Sequence, residues 1–146
     1  MSVKENKDLV TRFFKEGNAA KGDTTKLLAL ADKYVDPKFV YHLTTGDLNF
    51  EQTKQLTNVI YKAFPDFNRT IDDMVAEGDK VVIRSTWRGT HKGEWLGVAP
   101  TGKKVSQAGI SIFRIAGGKM VEWWAVMDTL DLMVQLGAIP SPFARR

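Results

Sequence analysis

The sequence predicts an α+β fold in which three N-terminal helices pack on one face of a curved antiparallel sheet, wrapping into a cone with an open mouth. Three observations carry that expectation. As far as Phe64 the apolar residues recur at helical spacing, after Pro65-Asp66 the pattern turns to that of strands, and those strands are long and joined by Gly-containing turns. With 146 residues and 43% hydrophobic content, the chain is long enough for one well-buried core, so residues 1–146 are expected to form a single domain.

Leu9, Val10, Phe13 and Phe14 fall at helical spacing among charged residues and predict a first helix from about Val3 to Ala20, stopped by Gly22. Asp23 or Thr24 caps a second helix, whose apolar face is Leu27, Leu28, Leu30, Ala31 and Tyr34, with Pro37 marking its end. Phe39 to Leu43 reads as a short strand carrying His42, and Thr44 to Asp47 as a loop. Asn49 and Gln52 have the spacing of a capping box for a third helix, in which Leu56, Val59, Ile60, Ala63 and Phe64 share a face. Strands follow over Phe67 to Glu77 and Lys80 to Arg88, hinged at Gly78-Asp79, then over Lys103 to Ile115 and Met120 to Met127 about Gly117-Gly118. A short helix from Asp128 to Leu136, closed by Gly137, ends the pattern.

Composition narrows the function classes. Without cysteine, no disulfide framework, thiolate nucleophile or cysteine metal site can be built. The formal charge of +4 comes from 21 Lys and Arg scattered among 17 acids, which is a solvated surface rather than the basic stripe of a nucleic-acid binder. The start of the chain has no apolar core of a signal peptide and no apolar run reaches membrane-spanning length, so a cytoplasmic location, with no membrane and no nucleic acid as partner, is the expectation. The segment Val81 to Asp128 holds all four tryptophans, His91 and several polar residues on otherwise apolar strands, the make-up of a sheet lining a small-molecule pocket.

The strings Ala63-Phe64-Pro65-Asp66, Glu77-Gly78-Asp79-Lys80-Val81-Val82-Ile83-Arg84, Gly89-Thr90-His91-Lys92-Gly93-Glu94-Trp95-Leu96-Gly97, Pro100-Thr101-Gly102-Lys103-Lys104-Val105, Phe113-Arg114-Ile115, Gly118-Lys119 and Gln135-Leu136-Gly137 occur in order along most of the chain. In these the sequence resembles the SnoaL-like polyketide cyclase (ester cyclase) family. The resemblance implies a nuclear-transport-factor-2-like (cystatin-like) α+β cone, a homodimer formed through the outer sheet face, and cofactor-free ring closure of a polyketide ester by intramolecular aldol addition. Fold alone does not carry that activity, because one scaffold hosts many chemistries.

An aldol cyclase needs a base beside the acidic carbon and a donor for the enolate oxygen. The resemblance places the family's catalytic aspartate at Ala125 and a histidine of the preceding strand at Ser111, so both usual groups are replaced. Asp128 and His91 are the remaining candidates for an acid or base. Asp128 is also a natural N-cap for the last helix, and its odd offset from Ala125 points it to the opposite face of a regular strand. His91 has two readings, a ligand donor or base at the mouth of the cone and a residue that fixes its own turn.

Strand parity groups Trp123 with Ala125, and Gln107 and Gly109 with Ser111, on the face expected to line the pocket; Trp87, Trp95 and His42 complete the candidate lining. Trp124 and Glu122 share the opposite face, where Trp124 is expected at a dimer interface. Two histidines without a carboxylate at ligand spacing give no metal site, so neither metal nor cofactor is expected. Two functions from different classes remain: a cyclase, lyase or isomerase with an alternative acid or base, and a non-catalytic binding protein, each with a small apolar or aromatic carbonyl compound as partner.

Overall fold

A computed structural model describes residues 2–141. The elements run α1 (Val3–Ala19), α2 (Thr24–Tyr34), β1 (Val35–Leu43), β2 (Gly46–Asn49), α3 (Phe50–Ala63), β3 (Asn68–Glu77), β4 (Lys80–Thr90), β5 (Lys104–Ala116), β6 (Lys119–Met127) and α4 (Thr129–Gln135). The α+β class and its order of helices before long strands stand as expected. Each helix begins where the sequence supplies a cap. The side chains of Ser2 and Asn49 form reciprocal capping boxes with Glu5 and Gln52, and Asp23 accepts from the Lys26 amide.

The six strands form one sheet in the order β2-β1-β6-β5-β4-β3. Three differences from the sequence expectation arise around β1. The second helix stops at Tyr34 because β1 starts at Val35 and takes Pro37 into its first half. The stretch expected as a loop is a tight hairpin, with Leu43 opposite Gly46 and His42 opposite Asp47. The sheet is mixed, since β1 lies parallel to β6 with Tyr41 beside Trp123; this pairing joins residues about 80 apart in the chain and leaves no mark on local periodicity. Irregular register in β3 between Ile71 and Asp73, in β6 at Val121 opposite Arg114 and Ile115, and in β1 between Val35 and Val40 bends the sheet around the helices.

Burial along β4 and β5 alternates as the pleat requires, and divides the interior into two clusters. The larger packs Leu9, Val10 and Phe14 of α1 and Tyr34 of α2 onto Val81, Ile83, Phe113 and Ala125. The smaller, at the other end of the sheet, packs Phe64 at the end of α3 and Leu132 and Leu136 from the last helical segment onto Trp87 and Val105. The loop after β4 closes this end. Lys92 and Gly93 both donate to the Ala63 carbonyl, and a Cβ on Gly93 would stand 2.5 Å from the Lys62 carbonyl oxygen, so only glycine lets the two backbones approach. No helix among the described residues is long and apolar enough to cross a membrane.

Candidate functional site

Between the helices and the sheet lies a cavity of about 140 Å³. Its walls come from all three large helices and from β1, β3 and β6, and are mostly apolar, as small-molecule sites are. The aromatic wall is built by register. Tyr41, Trp123 and Phe113 sit side by side on β1, β6 and β5, with Trp123 stacked on Tyr41 at 4.4 Å and tilted on Phe113 at 4.8 Å. Phe14 of α1 meets Trp123 edge-on at 6.1 Å.

Polar groups in the lining are few, and most are already engaged. Thr53 and Thr57 donate to the carbonyls one helical turn earlier. Lys54 pairs with Asp32 at 2.9 Å and Glu51 at 3.7 Å, which hold its ammonium above the usual lysine range. Asn18 spends both ends of its amide on the backbone of Arg69, accepting from its N–H at 3.0 Å and donating to its carbonyl at 2.6 Å. Among the described residues, the Arg69 guanidinium and the Tyr61 hydroxyl are not. The guanidinium lies 5.2 Å from the ring centre of Phe14, 5.5 Å from Phe67 and 5.7 Å from Trp123, with Nε buried and without a hydrogen-bond partner. Burial pushes its pKa down, opposed by the neighbouring Tyr41 and Tyr61 hydroxyls. Among the described residues, the lining contains no Asp, Glu or His.

Of the nine residues singled out from sequence, Trp123 lines this cavity. Ala125 and Ser111 are directly opposed across β6 and β5 and point inward, but they are 5% and 1% exposed and lie in packed interior. The space over Gly109 is filled as well, because an added Cβ there would stand 2.8 Å from the Met127 methyl and 2.9 Å from the Val126 carbonyl oxygen. Trp87 and Gln107 also face inward, in the smaller cluster: the indole N–H donates to Gln107 Oε1 at 2.7 Å, and Trp87 stacks on Phe67. Trp95 is half-buried, edge-on to Phe64 in the same cluster.

His91 and Asp128 hold local structure. His91 is fully buried, and its Nδ1 accepts the Thr101 amide N–H at 3.1 Å, which fixes the ring proton of the neutral form on Nε2. Its backbone bonds to Lys103 and Gly102 tie down the same loop. Asp128 is exposed and caps α4 by accepting from the Asp131 amide at 3.0 Å. Neither residue reaches the cavity lining, nor do the segments 44–47 and 91–102.

His42 requires a correction of the sequence reading, for it lies on the outer face. It neighbours Tyr41, which stacks inward on Trp123, so strand alternation turns it the other way, onto Trp124 at 5.0 Å. There Nδ1 meets Asp47 at 2.9 Å and Nε2 meets Glu122 at 2.8 Å, and Glu122 also accepts from Arg114 at 2.6 Å. A carboxylate at each ring nitrogen is satisfied by the doubly protonated ring. Glu122 chiefly, with Asp47, therefore raises the histidine pKa, while His42 and Arg114 lower that of Glu122.

Residues 9–136 match the sequence profile of the SnoaL-like polyketide cyclases. The chain belongs to this family. Solved structures of similar fold include AclR from Streptomyces galilaeus, a suggested hydroxylase, with 33% identity, a TM-score of 0.81 and coverage of 95% of this chain and 100% of that one. TsrD from Streptomyces laurentii is 29% identical, with a TM-score of 0.78 and coverage of 90% and 97%. IdmH from Streptomyces antibioticus, a suggested polyketide cyclase, is 27% identical, with a TM-score of 0.77 and coverage of 90% and 98%. No curated protein shows a significant sequence match. This SnoaL-like chain thus shares its nuclear-transport-factor-2-like fold with proteins for which different chemistries are suggested. Its site must be argued from its own residues.

Proposed function

We propose that this SnoaL-like protein binds a small apolar or aromatic carbonyl compound in the helix-sheet cavity, without a cofactor, and does not perform the aldol cyclisation of its family. The observation that carries this reading is the lining itself: stacked aromatic side chains and aliphatic residues, with no carboxylate or imidazole among the described residues to take a proton. The resemblance places the family pair at Ala125 and Ser111, neither of which can act as a base. A cyclase or isomerase using Asp128 or His91 has less support, since the first is engaged as a helix cap and the second is sealed into its loop.

The test uses Gly17, which lines the cavity from α1 and has open space where a side chain would project. Replacing it with Leu is expected to fill part of the cavity and to weaken binding of a two-ring aromatic probe, followed by titration calorimetry, by about tenfold or more. The fold should tolerate the change, because leaving glycine inside a helix is worth about 0.5–1 kcal/mol. Unchanged affinity in Gly17→Leu would place the probe elsewhere and count against this cavity.

We also propose that the partner across the outer sheet face is a second copy of this chain. Ile110 and Val126 are 54% and 64% exposed there, forming with Ile112 and Trp124 an apolar patch beside the charged His42 cluster. One patch on both copies suits an isologous pair. Light scattering at micromolar concentration should give twice the chain mass for the wild type and a monomer for Ile110→Glu; a wild-type monomer would overturn the assembly.

A further inference from the structure

Arg69 stands out as a half-buried cation without an anion. No hydrogen bond or ion pair to its guanidinium occurs among the described residues, and its Nε is sealed from solvent. Most polar lining groups that could have served it are committed elsewhere: Asn18 to the Arg69 backbone, Thr53 and Thr57 to carbonyls one turn earlier, Lys54 to Asp32 and Glu51; the Tyr61 hydroxyl, also in the lining, makes no hydrogen bond to it. The aromatic rings of Phe14, Phe67 and Trp123 surround it at 5.2–5.7 Å and hold the cation by their π faces. They leave the in-plane N–H groups without acceptors, and an in-plane acceptor is what a guanidinium binds best.

We propose that the ligand of this cavity is an aromatic carboxylate, its ring seated against the aromatic wall around Trp123 and its two oxygens gripped by Arg69. The proposal rests on the reading of the cavity as a small-molecule site and adds the charge that its ligand carries. A planar carboxylate matches the fork of a guanidinium, and in a site of low polarity the charge-assisted pair is stronger than the same contact in water. A neutral amide or ester of the same shape would leave the cation unpaired. The selectivity therefore comes from rejecting neutral analogues as much as from attracting the anion.

The experiment compares 2-naphthoate with 2-naphthamide, titrated calorimetrically into wild type, Arg69→Met and Arg69→Lys at neutral pH. Wild type is expected to prefer the carboxylate by about tenfold or more. Arg69→Met should lose that preference, weakening the carboxylate and binding the amide more tightly than wild type does, and Arg69→Lys should keep only part of it, since an ammonium cannot match the planar fork. Without ligand, Arg69→Met should melt no lower than wild type, because an apolar side chain replaces a half-buried unpaired charge. Equal wild-type affinity for the two probes, or an Arg69→Met protein that melts well below wild type, overturns the anion assignment and leaves the cavity reading standing. Failure of both probes to bind wild type overturns the cavity reading and the assignment together.

Discussion

Ala125→Asp, the substitution that puts a carboxylate where the family resemblance implies one, is expected to destabilise the protein by about 3–5 kcal/mol at pH 8, the range for an uncompensated buried charge. Ala125 is 5% exposed and packs with Phe113 and Phe14 in the main core. The group directly opposite is Ser111, whose Oγ is buried without a partner and can offer the introduced carboxylate one hydrogen bond. One neutral donor does not replace the water lost on burial. Desolvation would therefore raise the folded-state pKa of the new group above its unfolded value near 4. A raised carboxyl pKa makes the penalty absent below the unfolded value, growing as pH rises through the interval and complete above the folded value. Urea unfolding of wild type and variant at pH 4 and pH 8 reads this directly: the gap should be small at pH 4 and wide at pH 8. A variant as stable as wild type at pH 8 would mean that water reaches position 125. The cavity would then extend to the position where the resemblance implies a reacting group, and the lack of cyclisation proposed for the native chain would rest on the absence of a base there alone.

That outcome bears on how far the site was legible in the sequence. Parity placed Trp123, Ala125, Gln107 and Ser111 inward, and the structure has them there, because alternation along a regular strand is a local rule. Pointing inward does not make a residue a cavity wall. Whether an inward position is wet depends on what the facing elements bring, and here Met127 covers Gly109 while the core around Phe113 encloses Ala125. Those side chains arrive through tertiary packing that no window of sequence encodes. The open space lies farther along β6, where α1, α2 and α3 stand off the sheet.

Arg69 could have been found. It shares strand parity with Phe67 and Ile71, so the sequence alone puts a cation on the apolar face of β3, and a basic residue on such a face asks for a partner. The His42 cluster could not be read in the same way. It depends on the parallel pairing of β1 with β6, which brings His42 to Trp124 and to Glu122, 80 residues away in the chain. The helices and long strands were legible because caps, periodicity and glycine turns are local. The β1-β2 hairpin was missed because Thr44-Thr45-Gly46-Asp47 has the composition of a loop, and only the pairing of Leu43 with Gly46 and of His42 with Asp47 reveals a turn between strands.

Trp123→Ala is the change expected to act on stability and binding together, with a loss of about 3–5 kcal/mol of folding free energy, the range for truncating a large core aromatic. The indole forms the centre of a row across three strands, stacked on Tyr41 and tilted on Phe113, and Phe14 of α1 seats its edge on it. Its removal unseats contacts between the sheet and α1 as well as one wall of the cavity, so the loss exceeds that of its area alone. Trp123→Phe separates the two roles. The indole Nε1 is buried without an acceptor, so phenylalanine discards an unsatisfied donor while keeping a ring between Tyr41 and Phe113. Its cost should stay within about 1–2 kcal/mol, the remainder being the small void left by the second ring. Chemical unfolding should therefore rank wild type, Trp123→Phe and Trp123→Ala in descending stability, and titration of 2-naphthoate should show the phenylalanine variant binding within a few-fold of wild type. If Trp123→Ala instead lost less than about 1 kcal/mol while binding collapsed, the indole would be a wall of the site that the fold does not need. The aromatic row would then owe its arrangement to the ligand rather than to the core.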